Sequence, residues 1–261
     1  MKKIFSAMLA LSALAAGPAM AADMAVKAPV YKAPPPAPIY NWTGFYIGGS
    51  LGGLWGTYDG SFVFPPPATF SSSQSTGIAD AHWGFQFQFG PGIVLGVEGN
   101  FIGLFNNSVG TDTCHPVTAC NPIGGATLAA RFVDNIWTVG GRGGLALGAW
   151  MPYISGGYAS TRFDHTFLAF GVPFETTRTR HDGAYIGGGV DWQIWSNGAG
   201  ALVAGFEYRH YEFQTVRAVP IIVATGVPNP ADTWDLRPRA DTVEARLSWL
   251  FNFGGPVYAK Y

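Results

Sequence analysis

Apolar and polar residues alternate with a period of two through most of this chain. Between residues 243 and 251, Val243, Ala245, Leu247, Trp249 and Phe251 are apolar, and Glu244, Arg246 and Ser248 interleave with them. Successive side chains on a strand point to opposite faces, so this stretch predicts a strand with one greasy and one wet face. The pattern recurs seven times upstream. Phe45, Ile47, Leu51 and Trp55 share a face; so do Trp83, Phe85, Phe87 and Phe89, and Ile93, Leu95, Val97 and Phe101. Further strands are predicted over 135–147, 153–162, 184–194 and 201–212.

The connections between these strands sort by length. Residues 59–76, 103–129, 163–180 and 213–240 predict four long loops; Gly90-Pro91-Gly92, 148–152 and 196–200 predict short turns. With an even number of antiparallel strands, every turn falls at one end and every long loop at the other. That is the layout of an outer-membrane barrel, with periplasmic turns and extracellular loops. A soluble sandwich has no reason to sort its loops so. Strands of ~10 residues also suit a tilted membrane crossing. The aromatics form two groups: Phe45, Phe87, Phe89, Trp192, Trp249 and Phe251 toward the turns, and Trp55, Phe101, Trp137 and Tyr208 toward the loops. Two interfacial belts are expected of a lipid-facing wall. The expected fold is therefore all-β: an eight-stranded antiparallel transmembrane β-barrel, an up-and-down meander over residues 41–253.

Composition narrows the class. Of 261 residues only 12% are charged, while 15% are aromatic and 36 are Gly; the apolar share of 48% excludes a disordered chain. A net charge of -1 gives no basic field for nucleic acid. Lys2 and Lys3, an apolar run over 4–16 and Ala19-Met20-Ala21 read as an export signal over 1–21, cleaved before Ala22. Residues 22–40 are rich in Pro and predict a periplasmic linker that could contact the cell wall; residues 254–261 predict a C-terminal tail. No later run is long and apolar enough to span a membrane as a helix. Phe253 and Tyr261 are both candidates for the C-terminal aromatic read by the barrel assembly machinery.

NWTGFYIGGSLGG after the Pro-rich segment, then LGVEGNF, PYISGGYA and the closing GGPVYAKY, resemble the alpha-proteobacterial outer-membrane immunogenic protein family. These are small barrels similar to the OmpA transmembrane domain. The resemblance covers residues 41–261. It implies an eight-stranded barrel in the Gram-negative outer membrane, in contact with its lipid and lipopolysaccharide. It implies structural and surface-antigen roles, with porin-like or haem-binding roles in some members. It carries over no catalytic residue.

The candidate chemistry lies on the wet faces. Asp80, Glu98, Arg142, Asp191, Glu207, Arg209, Glu244 and Arg246 all point inward. Eight strands enclose room for side chains only, so these charges predict a paired lumen network, with a small gated pore as the alternative. Arg142 and Glu207 are the partners expected for Glu244 and Arg246. Gly48-Gly49-Ser50-Leu51-Gly52 matches the nucleophile-elbow letters, but mid-strand, where that motif has no meaning. A lipid A acylase or deacylase of eight strands would use a His and a Ser near the extracellular rim; His210 lies there, followed by Glu212, but no matched Ser can be placed. The five histidines, His82, His115, His165, His181 and His210, show no metal-ligand spacing and read as scattered surface residues. Cys114 and Cys120, an even pair in an exported chain, predict a disulfide closing a loop. No catalysis, cofactor or metal is expected.

Overall fold

The computed structural model describes residues 40–63, 68–90, 92–105, 110–113, 126–132, 135–197 and 199–252. The export signal, nearly all of the Pro-rich linker, Cys114 and Cys120, His115, and Phe253 to Tyr261 lie outside the described residues.

The strands are β1 (Gly44–Phe62), β2 (Thr69–Phe89), β3 (Ile93–Leu104), β4 (Gly110–Thr113), β5 (Ala126–Phe132), β6 (Ile136–Leu145), β7 (Trp150–Ala169), β8 (Val172–Asn197), β9 (Gly200–Phe213), β10 (Val216–Ala218), β11 (Ile221–Ile222) and β12 (Trp234–Asn252). Eight of them, β1, β2, β3, β6, β7, β8, β9 and β12, pair antiparallel with their neighbours in a closed ring. The ring closes where β12 pairs with β1, from Phe45 opposite Phe251 to Trp55 opposite Asp241 and beyond. The expected eight-stranded antiparallel barrel is the observed fold, and closure leaves the ring no edge.

The strands run well past the lengths read from the sequence. Residues 59–62, 69–76, 163–169, 172–180 and 234–240 are strand, not loop. What misleads is a change of pattern along an unbroken strand. On β12 the even positions face inward throughout. From Leu250 down to Thr242 they include the charged Glu244 and Arg246; from Ala240 to Trp234 they are Ala240, Pro238, Leu236 and Trp234. The odd, outward positions change oppositely, from Val243, Ala245, Leu247, Trp249 and Phe251 to Asp241, Arg239, Arg237 and Asp235. The backbone keeps its period while the polar face moves from inside to outside. The outward faces of β1 and β2 change likewise: Leu51 and Trp55 give way to Thr57 and Asp59, and Ala79 and Ala81 to Ser75, Ser73 and Ser71, although on β2 the inward Ser72, Gln74 and Thr76 stay polar.

The 163–180 segment is a tight hairpin. Its tip, Phe170 and Gly171, has φ of 54° and 77°. Positive φ at both central residues is the type I′ geometry that suits strand twist; Gly171 adopts it freely, whereas Phe170 does so against its own preference. The 103–129 region contributes β4 and β5, with β5 pairing onto β7. In the last connection β10 pairs with β12 and β11 with β8. Near the other end, a register shift between Gln193 and Trp195 lets Ile194 and Trp195 both face outward.

Candidate functional site: the filled lumen

Along β1 the inward residues run Tyr46, Ser50, Leu54, Tyr58 and Phe62, and they mark successive interior layers. The turn end is closed by an apolar cluster of Trp42, Tyr46, Val94, Met151, Tyr153 and Leu250 with its small neighbours. Trp42 is fully buried, and its indole Nε1 donates to the Gly148 carbonyl at 3.1 Å. Three inward glutamines tie down the segment that carries it. Gln86 Nε2 donates to Trp42 O at 2.7 Å, Gln193 Nε2 donates to Asn41 O at 3.0 Å, and Trp42 N donates to Gln88 Oε1 at 3.0 Å. The chain thus stoppers its own barrel before entering β1.

Above this plug lies the charged layer. All eight inward charged residues named from the sequence are buried here. Glu98 is the hub. Its carboxylate receives Arg246 Nη2 at 2.6 Å, Arg209 Nη2 at 2.6 Å and Arg142 Nη1 at 3.4 Å, together with the Tyr46 hydroxyl at 2.7 Å. Glu207 accepts from Arg209 at 2.9 Å and also pairs with Arg246; Arg142 Nη2 reaches Asp191 at 2.5 Å. The Arg142 guanidinium lies 3.9 Å from the centre of the Tyr153 ring, a cation–π contact joining this layer to the plug. Arg246 therefore meets Glu207. Glu244 meets neither Arg142 nor any other arginine in a salt bridge among the described residues; it accepts from Ser50 and lies opposite Glu207 in register.

Beside the hub runs a second line. His82 Nδ1 lies 2.7 Å from Asp80 Oδ1, and His82 Nε2 lies 2.7 Å from Ser248 Oγ. Asn100 Nδ2 donates to Asp80 Oδ2 at 3.0 Å, and Thr138 Oγ1 donates to Asn100 at 3.1 Å. Carboxylate, imidazole and hydroxyl stand in the order of a nucleophilic triad. A substrate has no room there. The β1 backbone at Gly48 occupies the space, and even a Cβ on Gly48 would come within 2.5 Å of His82 Nε2 and 2.7 Å of Ser248 Oγ. Ser50 of the elbow-like motif sits mid-strand between Asp80 and Arg246.

Toward the loop end the interior becomes a hydrophobic core. Leu54, Tyr58, Ile78, Ile102, Phe163 and Phe213 are buried together, and above them Phe70, Leu236 and Trp234 pack with Phe62 and Phe167. The outer face at this height carries ion pairs. Arg178 binds Asp164 through two bonds, Arg217 binds Asp235, Arg237 binds Glu212, and Arg239 binds Asp59.

The reading of the histidines as surface residues fails for three of them. His82, His165 and His181 are at most 1% exposed. Inside a barrel an inward position is buried however polar it is, and the sequence signal was their parity, shared with known inward residues. His165 packs on Phe163 and Tyr58, and neither ring nitrogen has a hydrogen-bond partner. Burial, helped by His181, pushes its pKa down to about 3. Glu175 is fully buried in the same extension and accepts from Asn229 Nδ2 at 2.7 Å. Burial pushes its pKa up to about 7, with Asp232 adding to the effect. His210 faces outward and bonds Asp241 at 2.8 Å; no Ser accompanies it among the hydrogen bonds of the described residues. No cluster of three or more His, Cys, Asp or Glu among the described residues could hold a metal.

No protein-family model matches the chain. No curated protein sequence matches it either. Among solved structures it is similar to the outer membrane protease OmpT from Escherichia coli, at 7% identity and a TM-score of 0.44, covering 82% of this chain and 99% of that one. It is similar to the outer membrane protein OprG from Pseudomonas aeruginosa, at 12% identity and a TM-score of 0.44, covering 80% and 97%. Ail, the attachment invasion locus protein of Yersinia pestis, matches at 10% identity and a TM-score of 0.35, covering 79% and 99%. At such scores these likenesses carry no argument about activity, and the barrel stands on its own strand registers.

Proposed function

We propose that this chain is an outer-membrane β-barrel without catalytic activity, which anchors and displays an extracellular β-extension at the cell surface. One observation carries the reading: the outward face of the wall passes from apolar to polar at one height, where the interior passes from a charged layer to a core built on Leu54, Tyr58, Phe163 and Trp234. Below that height the outside is apolar and the inside charged, as lipid and a closed lumen require; above it the outside is charged and polar, as water requires, and the inside is an apolar and aromatic core that also encloses Ser72, Gln74, His165 and Glu175. The apolar part of β1 spans Phe45 to Trp55. At ~3.3 Å per residue and a tilt of ~40–45° that is ~25 Å of height, the height of a lipid-facing band. Outward aromatics sit near both edges: Phe45 against Phe251 and Trp195 near Trp249 at the turn end, Phe101 against Trp137 at the loop end.

The closed lumen favours a structural role over a porin-like one. The Trp42 plug and the Leu54–Phe163 core bracket the charged layer, so ions meet two apolar barriers in series. The far tip offers exposed apolar residues, Phe170, Val172 and Val223, to whatever the surface meets. The resemblance to the outer-membrane immunogenic proteins agrees with such a surface role. Planar-bilayer recording of the refolded protein tests it: silence is expected, and steady unitary conductance would establish the channel reading instead. A haem titration should leave the Soret band unshifted.

A further inference from the structure

The outer wall of the barrel carries a continuous groove. Its lower part, about 460 Å³, runs over Phe85, Val97, Gly99 and Val139. Its upper part, about 280 Å³, runs past Asn135, Ser160, Arg162 and Arg180. Trp137 and Tyr158 line both parts and join them. From Tyr158 on β7 to Phe45 on β1 the groove crosses five adjacent strands, a path of ~19 Å at ~4.8 Å per strand. Gly99 lets the wall stay shallow here. The Trp83 indole lies over it, and a Cβ on Gly99 would meet indole atoms at 3.2 Å.

The upper end is built differently. Arg162 and Arg180 stand directly opposite each other across β7 and β8. Both line the groove, so two guanidinium groups converge at this end. Arg180 Nε donates to Ser160 Oγ at 3.0 Å and to Asp182 Oδ1 at 3.2 Å. The same Asp182 oxygen already accepts from Tyr158 OH at 2.6 Å and Ser160 Oγ at 2.8 Å, so its charge is shared within the wall. The Arg180 side chain lines the groove and is 61% exposed. A planar guanidinium steadied through Nε presents the fork that phosphate oxygens take. Asn135 beside it supplies an amide group suited to a sugar.

We propose that this groove binds one phosphorylated glycolipid of the outer leaflet, its phosphate between Arg162 and Arg180 and an acyl chain along Trp137, Val139 and Val97. The inference rests on the outer-membrane reading. The test is native mass spectrometry of the refolded full chain with diphosphoryl lipid A, dephosphorylated lipid A and phosphatidylglycerol, each added separately. One diphosphoryl lipid A should be retained in preference to the other two. The double variant Arg162→Ala/Arg180→Ala should lose that retention by roughly tenfold or more, as expected on removing charge-assisted hydrogen bonds. Arg162→Lys/Arg180→Lys should keep most of it, and Arg217→Ala, elsewhere on the outer rim, should keep all of it. Equal retention of phosphatidylglycerol or dephosphorylated lipid A would overturn the site, as would an equal loss in Arg217→Ala. Heat-modifiable gel migration of each sample separates the two ideas. A folded barrel without the preference sinks the site alone, whereas a chain with no heat-shifted form sinks the outer-membrane reading beneath it.

Discussion

Two glutamates at the same level of the lumen should respond in opposite ways to one substitution. Glu98 holds three arginines and a tyrosine hydroxyl. In Glu98→Gln each arginine keeps one carboxylate: Arg142 keeps Asp191, and Arg209 and Arg246 share Glu207. Three buried guanidiniums then lean on two anions. Breaking a buried ion pair from one side costs about 3–5 kcal/mol, because the partner stays buried and uncompensated. Glu244 accepts a hydrogen bond from Ser50, forms no salt bridge among the described residues, and faces Glu207 across the β9–β12 ladder. Glu244→Gln keeps the bond from Ser50 and removes a buried charge that has no salt bridge among the described residues, so its effect should stay within about 1 kcal/mol of zero or stabilise. The assay is urea unfolding of protein refolded into lipid vesicles, followed by tryptophan fluorescence. With a urea slope of about 2 kcal/mol/M, Glu98→Gln should lower the midpoint by roughly 2 M and Glu244→Gln by less than about 0.5 M. Equal shifts in the two variants would refute the hub.

Trp42→Ala should cost about 3–5 kcal/mol, the range for emptying a buried Trp site, yet leave bilayers silent because the Leu54–Phe163 core stays in place. Gly48→Ala should sharply reduce the heat-modifiable folded fraction, since its Cβ would come within 2.3 Å of Leu247 O. The loop-end extension of the barrel should loosen in acid. His165 has its pKa held down at about 3 in the folded state against ~6.5 unfolded, so its contribution is complete above pH ~6.5 and is lost as pH falls toward 3. At pH 4.5 that loss is about 3 kcal/mol. Glu175, raised to about 7, acts with the opposite sign between pH ~4.5 and 7, so the clean comparison is His165→Phe in a Glu175→Gln background. Hydrogen exchange across β7 and β8 at pH 4.5 should be slower in the double variant than in Glu175→Gln alone; no change would remove His165 as the cause.

Much of the wall was legible in the sequence, because in a closed barrel the period of two maps directly onto outer face and lumen. Val243 to Phe251 and Glu98, Arg142 and Glu207 could be assigned faces from parity alone. The upper strands were not legible, for a physical reason: apolar residues mark the side away from water, and that side changes along the strand. Reading Arg237 and Arg239 as loop followed from expecting the greasy face to stay outside. The register of the charged layer was also hidden, since sequence places Glu244 and Arg246 on one face without saying that only Arg246 reaches Glu98 and Glu207. Trp42 was missed because nothing in NWTGF distinguishes a plug from the start of a strand; only the inward Gln86, Gln88 and Gln193 hinted that a backbone had to be held there.

The exchange of faces is the central claim, and spin labels placed one at a time along the outward positions of β12 test it most directly. In vesicles, labels at Val243, Leu247 and Phe251 should be relaxed by oxygen and shielded from a water-soluble nickel chelate, while labels at Asp235, Arg237 and Arg239 should show the reverse, with the crossover at Asp241. Chelate access that stays uniform from residue 235 to residue 251 would contradict a wall that passes from water into lipid.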